Sequence, residues 1–363
     1  MIFNKIKKKG TNVILYLGFN SFSEHKRGVE NVIAFQSEAC YETTKIYLYF
    51  GNKNVIYRWN NLICISIKMN IIRFIVMNFI VWKLFKKYNK IIIHSHNYLM
   101  SFFLLKSINI MTVHDALFYQ TKCLNRNFSS IFKFIEIVVY NKTNLVHFIS
   151  KYSKSQSLLR SDKSFIVIPN TSHLESLVQS NDTGYSFPDF DEECLVFSVR
   201  SIEERAGIDL LIDVAEKHQL SESKLKFVVA GKGPMLEYYR NIIKLRGLRN
   251  IFLLGYISDI ELVSYYRQCR IVLLIARYAE GFGLPIIEGY LFNKPVVASN
   301  VCAIPEVIID NSFLFENKID KVIEKITFGL KQVGSDYRKF YLDRFGNQNI
   351  ISQFSYLYRS YLT

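Results

Sequence analysis

The sequence predicts an α/β protein built from two doubly wound domains in series. Three observations predict it. Short apolar, β-branched runs alternate with longer mixed segments along the 363 residues, as strands covered on both faces of a parallel sheet do. The alternation pauses once, in the polar and acidic stretch 179-QSNDTGYSFPDFDEE-193, and then resumes. The length is large for one hydrophobic core and comfortable for two.

The first strand is 12-NVILYL-17. Its basic approach resembles a signal peptide weakly, but six apolar residues are too few for one and no small-residue cleavage site follows. Further strands are expected at 45-KIYLYF-50, 62-LICISI-67, 90-KIIIH-94, 109-NIMTV-113, 144-NLVHFI-149 and 164-SFIVI-168. Between them, 71-IIRFIVMNFIVWKLFKK-87 is too short to span a bilayer and is interrupted by Arg73. It reads as a core helix, or as a helix lying in a membrane interface with Lys83, Lys86, Lys87 and Lys90 toward lipid phosphates. The two readings are compatible. The first domain is expected over 1–180 and the second over 190–335, with strands at 194-CLVFSV-199, 225-LKFVVAG-231, 250-NIFLLG-255, 270-RIVLLI-275 and 295-PVVAS-299. In 258-SDIELVSYYRQC-269, Ser258 and Glu261 form a capping box. The aromatic, helix-like segment 336–363 is expected to pack back on the first domain.

Charge divides the chain. Residues 1–185 carry 24 Lys and Arg against 9 Asp and Glu, while residues 186–363 carry 22 against 22. The net +15 therefore lies wholly in the first half, and an AT-biased coding sequence would have made both halves basic. An anionic partner follows: a membrane surface, a phosphorylated lipid or a nucleic acid. A nucleic-acid binder should also show a recognition helix or RNA-binding module, and would leave the motifs below unused. The six cysteines, at 40, 64, 123, 194, 269 and 302, form no CxxC pair. That excludes the common zinc and redox motifs and suggests a reducing compartment.

The stretch 279-AEGFGLPIIEG-289 concentrates the chemistry. It follows a strand, and Pro285 suits the first turn of a helix running to about Phe292. Gly281 and Gly283 let the backbone approach a ligand, and the helix N-terminus favours an anion such as a diphosphate. Glu280 stands before the turn and Glu288 one helical turn inside. Carboxylates there can accept hydrogen bonds from hydroxyls at the two ends of a nucleotide sugar. The alternative is a tight strand–helix turn with two solvated glutamates. Asp189 and Asp191, in 188-PDFDEE-193, imitate a metal-binding DxD, but they precede a strand instead of ending one and read as linker. A nicotinamide dehydrogenase should show GxGxxG after its first strand, and 18-GFNSFSEHKRG-28 lacks it.

The run EGFGLPIIE, followed by NKPVVASN and IPEV, resembles the signature of retaining GT-B glycosyltransferases, the GT4-like family. The stretches 229-VAGKGP-234, 253-LLGYISDIEL-262, 280-EGFGLPIIE-288 and 304-IPEV-307 fall in that family's order. In the first half, 26-KRGVENVI-33, 112-TVHDA-116 and 148-FISKYSKS-155 resemble it more thinly. The resemblance implies the GT-B fold, two Rossmann-like doubly wound domains facing across a cleft. It implies that Glu280 contacts the transferred sugar and Glu288 the ribose. It places His114 at a strand end by the reacting centre. Donor contacts are expected from Arg200, Arg205, Gly231, Gly233, Gly281, Phe282, Gly283 and Leu284. Acceptor contacts are expected from Gly28, His94 and His96, although a satisfied structural role for the last two is the favoured reading. Two departures stand out. The family's lysine before a glycine is replaced, with Ala206 in its place and Arg205 one position earlier. Arg27 stands where the family often has a second glycine.

The implied reaction is transfer of a hexose, with retention, from a GDP- or UDP-sugar to a lipid-pyrophosphate-linked or saccharide acceptor in O-antigen or capsule assembly. No cofactor, no metal and no nucleic acid are expected. The expected location is cytoplasmic, peripheral on the inner face of the plasma membrane, held through the basic half. The rival readings are a GT-B scaffold with impaired catalysis and a basic nucleic-acid-binding protein.

Overall fold

The computed structural model describes residues 12–21, 28–123, 129–178, 195–221 and 223–363. They divide into two compact units. The first takes the chain up to Asn170 and again from Gln348; the second is Thr171–Asn347.

The first unit runs β1 (Val13–Leu17), α1 (Gly28–Gln36), β2 (Thr44–Gly51), β3 (Val55–Trp59), β4 (Leu62–Lys68), α2 (Arg73–Lys87) and β5 (Ile91–Ser95). It continues through α3 (Tyr98–Phe103), β6 (Ile108–Val113), α4 (Leu117–Cys123), α5 (Ser129–Asn141), β7 (Thr143–Phe148), α6 (Lys151–Ser155) and β8 (Phe165–Val167). The strand order is β3-β4-β2-β1-β5-β6-β7-β8. All pairs are parallel except β3 on β4. Central β1 shows why the run lacks polar alternation. Val13, Leu15 and Leu17 enter one core while Ile14 and Tyr16 enter the other, and all five are buried.

The second unit runs α7 (Glu175–Val178), β9 (Leu195–Val199), α8 (Ile208–Leu220), β10 (Lys226–Ala230), α9 (Leu236–Leu245), β11 (Ile251–Gly255) and α10 (Asp259–Gln268). It continues through β12 (Ile271–Leu274), α11 (Leu284–Leu291), β13 (Val296–Ser299), α12 (Ile304–Val307), β14 (Leu314–Phe315), α13 (Ile319–Leu330) and α14 (Tyr337–Phe345). Its sheet is all parallel, in the order β11-β10-β9-β12-β13-β14. Ser258 and Glu261 close the expected capping box on α10, and α11 carries Pro285 in its first turn. The last helix, α15 (Asn347–Leu362), places Ile350, Phe354, Leu357 and Tyr358 in the core beneath β1, β2 and β5 of the first unit.

Domain limits differ from the sequence reading. The first unit ends at Asn170, not near 180, because α7 is held by the second: Tyr341 donates to Glu175 Oε2 (2.8 Å) and Arg267 to the Val178 carbonyl (3.1 Å). The segment 336–363 is two helices with different allegiances. Helix α14 stays in the second unit, Phe345 meeting Phe282 at 6.0 Å, and only α15 joins the first. The polar stretch 179–193, with Asp189 and Asp191, lies outside the described residues.

Strand order reverses between β1 and β5 in the first sheet and between β9 and β12 in the second. Open α/β sheets bind ligands beyond the strand ends at such reversals. The loops after β5, β9 and β12 are therefore the ones that matter.

Candidate functional site

In the second unit, Arg200 leaves β9 and Glu280 follows β12. Arg200 Nη1 donates to Glu280 Oε2 at 2.5 Å, and the two side chains are only 7 % and 14 % exposed. The Arg200 Nε–H is buried with no acceptor among the described residues. A buried guanidinium N–H without a partner is costly and calls for an oxygen from elsewhere.

The turn carrying Glu280 is braced from several sides. Ser299 Oγ donates to Asn317 Oδ1 (2.6 Å) and accepts from the Ala276 N–H (3.0 Å); Asn317 Nδ2 donates to the Ala276 carbonyl (2.9 Å). The Arg277 N–H donates to the Arg205 carbonyl (2.9 Å), and the Ala303 N–H to that of Glu280 (3.2 Å). Ala279 sits at φ 53°, a left-handed conformation that a β-carbon disfavours, so the turn stores strain immediately before the carboxylate. Gly283 at φ 92° opens α11, where left-handed backbone costs glycine little.

Several expected donor residues have structural partners within the second unit. Arg205 donates from Nη1 to the Ala279 carbonyl (2.7 Å) and from Nε to Glu203 (3.2 Å). It braces the strained turn, and Ala206 is buried. Phe282 is buried against Phe345. The Gly231 N–H is taken by the Gly255 carbonyl (2.7 Å). A β-carbon on Gly231 would lie 1.6 Å from the Arg200 carbonyl oxygen, and one on Gly233 2.0 Å from that of Ile202. These glycines are needed for the close passage of two strand ends. Gly281 and Leu284 remain at the mouth of the turn, both partly exposed.

Glu288 lies inside the second unit. It is 5 % exposed, accepts from Tyr266 Oη at 2.7 Å and lies 3.4 Å from Ser172 Oγ. Burial raises its carboxyl above the usual range. Its neighbours come from α10 and from the loop before α7, which sequence spacing could not reveal.

In the first unit, four histidines gather at the ends of adjacent strands. His147 Nε2 is 2.8 Å from the Ile168 carbonyl, which can only accept, so that nitrogen carries the proton. Its Nδ1 then accepts from Thr112 Oγ1 (2.9 Å), and Thr112 accepts from His94 Nε2 (2.7 Å). His94 Nδ1 accepts from Tyr358 Oη on α15 (2.7 Å). The hydroxyls and imidazoles thus form one directed chain with fixed tautomers. Both nitrogens of buried His94 are used, in keeping with the satisfied structural role favoured for it. His96 Nδ1 lies 3.0 Å from His114 Nε2, while its buried Nε2 has no partner among the described residues. Burial holds His94 and His96 well below the usual imidazole range, His147 down to about 4 and His114 to about 3. His114 does follow β6, as expected. Gly28 is the first residue of α1, and the loop before it, with Arg27, lies outside the described residues.

Comparison with known proteins matches residues 166–340 to the family model described as "Glycosyl transferases group 1". An uncharacterized glycosyltransferase of Methanocaldococcus jannaschii is 30 % identical over 223 residues, 60 % of this chain and 57 % of that protein. The O-antigen biosynthesis glycosyltransferase WclY of Escherichia coli is 26 % identical over 175 residues, 47 % of this chain and 48 % of its own. The chain thus spans about half the length of the curated relatives it matches. Among solved structures, sucrose-phosphate synthase of Thermosynechococcus elongatus superposes with a TM-score of 0.75 at 15 % identity, covering 96 % of this chain and 98 % of that one. That likeness concerns the fold. The chain thus has two doubly wound sheets of the GT-B kind, and over residues 166–340 it is similar to the glycosyl transferases group 1 family.

Proposed function

We propose that the protein is a retaining hexosyltransferase. It moves a hexose from a GDP- or UDP-sugar to a lipid-linked or saccharide acceptor during assembly of a surface polysaccharide such as an O-antigen or capsule. One observation carries the reading: a buried Arg200 Nε–H with no acceptor among the described residues, beside Glu280 at the reversal of a doubly wound sheet.

In this reading Arg200 and the N-terminus of α11 receive the leaving diphosphate. Glu280 already orients the guanidinium, so little reorganisation accompanies the growth of charge. Glu280 also accepts a hydroxyl of the transferred sugar. The bond from the anomeric carbon to the diphosphate breaks, and the acceptor oxygen bonds to that carbon on the same face. The acceptor proton passes to the departing phosphate oxygen. No protein nucleophile is required, and Arg200 with the N-terminus of α11 supplies the hydrogen-bond donors that face the diphosphate. Ribose hydroxyls would reach Glu288 by displacing Ser172, whose 3.4 Å contact is the weaker of its two. His114, held neutral, would contribute a hydrogen bond and not a charge. The basic first half would serve a lipid-linked acceptor on the inner face of the plasma membrane.

The test is thermal unfolding with UDP, GDP, ADP, CDP and NAD. A ligand at a hundred times its dissociation constant stabilises by about 2.7 kcal/mol. One nucleoside diphosphate should shift the transition, and Arg200→Ala should abolish the shift. A response to NAD alone, or to no diphosphate, would overturn the reading. A second reading, a scaffold with impaired catalysis, is favoured by Ala206 and by the engagement of Arg205 with Ala279. Diphosphate binding without any turnover of nucleotide sugar would establish it.

A further inference from the structure

We infer that the first unit docks on an anionic lipid surface through the outer face of α2 and the adjoining ends of α3 and α5. The inference deepens the acceptor half of the proposed function and rests on it only for a purpose; its test needs neither donor nor acceptor.

Helix α2 buries one stripe, Met77, Ile80, Val81 and Leu84, at i, i+3, i+4 and i+7. An ordinary surface helix is polar on its other side. This one exposes Ile75, Phe79 and Trp82, and the turn before it presents Ile71 at 96 % exposure. The apolar band continues onto its neighbours. Phe74 stacks on Phe103 of α3 with centroids 4.0 Å apart, and Phe102 meets Phe134 of α5 edge-on at 5.9 Å. Asn78 donates to the Phe103 carbonyl (3.0 Å) and accepts from the Leu105 N–H (2.8 Å), fixing the turn that presents Leu105 at 86 % exposure. A contiguous exposed patch on this scale marks an interaction site.

Charge selects the partner. Between Glu42 and Asp115 the sequence has no acidic residue and ten Lys and Arg. Three of these lysines ride on the aromatic rings of the band: Lys83 4.7 Å from the Phe79 centroid, Lys86 3.9 Å from Trp82 and Lys106 4.9 Å from Phe85. Rings that enter the acyl boundary while ammonium groups stay at phosphate depth need this interleaving. A second copy of the chain would instead set cation against cation. No helix among the described residues is long and apolar enough to cross a membrane, so the mode proposed is lying on the surface.

The experiment is co-sedimentation of the full chain with vesicles of phosphatidylcholine alone and of equimolar phosphatidylcholine and phosphatidylglycerol. Binding is expected to the anionic vesicles, with a blue shift of tryptophan emission. Phe79→Ser with Trp82→Ser should reduce partitioning more than tenfold. Each of Lys83→Gln and Lys86→Gln should cost about fivefold at low salt. All four side chains are at the surface, so unfolding temperature and nucleoside diphosphate binding should be unchanged; this separates failure here from failure of the transferase reading. The proposal is overturned by equal binding to both vesicle types or by binding that neither set of variants weakens. A dimer that Phe79→Ser with Trp82→Ser dissolves would also overturn it.

Discussion

Lowering the pH from 7 to 4.5 should weaken the first unit through its buried histidines. His147 is neutral in the folded state down to about pH 4, because burial disfavours its charge. Unfolded, it takes up a proton near pH 6.5. The unfolded state therefore binds more protons across this window. The contribution to stability is complete above pH 6.5 and is lost as the pH falls toward 4. From pH 7 to 4.5 this one group accounts for a loss of about 2.4 kcal/mol, with a mid-window slope of about 1.2 kcal/mol per pH unit. His94, His96 and His114 act in the same direction. Buried Glu136, its carboxyl raised, opposes them by taking a proton first in the folded state. Both tryptophans, Trp59 and Trp82, lie in the first unit, so their fluorescence in urea titrations reads that unit. His147→Gln keeps a donor for the Ile168 carbonyl but cannot titrate. It should be less stable than wild type at pH 7, and the difference should shrink by about 2 kcal/mol at pH 4.5. Parallel pH profiles for the two proteins would refute the account.

Three further outcomes are expected. Gly231→Ala brings a β-carbon against the Arg200 carbonyl, where neither backbone can yield; a loss above about 4 kcal/mol, or failure to fold, should show in urea unfolding followed by circular dichroism. Tyr266→Phe removes the strong donor to buried Glu288 and should cost about 1–3 kcal/mol by the same measurement. Arg205→Ala frees the Ala279 carbonyl; it should cost about 1–2 kcal/mol and lower kcat more than it weakens diphosphate binding in calorimetry, with Arg205→Lys recovering part of the loss.

The strands were legible because a parallel strand buried on both faces is a local signal. The run around Val13–Leu17 needs no partner to be read. Strand β3 escaped notice because its evidence was the turn: Asn60, at φ 49°, and Asn61 join Val55–Trp59 to Leu62–Lys68, and asparagine pairs between alternating apolar residues mark hairpins. Two-residue β14 had too little pattern to find. In the site, Glu280 and Arg200 were legible from strand-end position. Their mutual ion pair was not, because eighty residues separate them. The histidine chain was half visible: His94 stood out, but Thr112, His147 and Tyr358 join it only through strand order and the return of α15. At glycines 231 and 233 the sequence could not show the close passage of two backbones, because that passage and open backbone near a ligand use the same residue.

The return of α15 has a consequence for biosynthesis. The core beneath β1, β2 and β5 is closed by Ile350, Phe354, Leu357 and Tyr358, which leave the ribosome long after residue 170. At about 5–20 residues per second, the delay is roughly 10–40 seconds. During that time the second unit, contiguous in sequence, can complete its sheet alone. The domain made first is thus the one finished last, and while it waits, one side of its central strands stays uncovered.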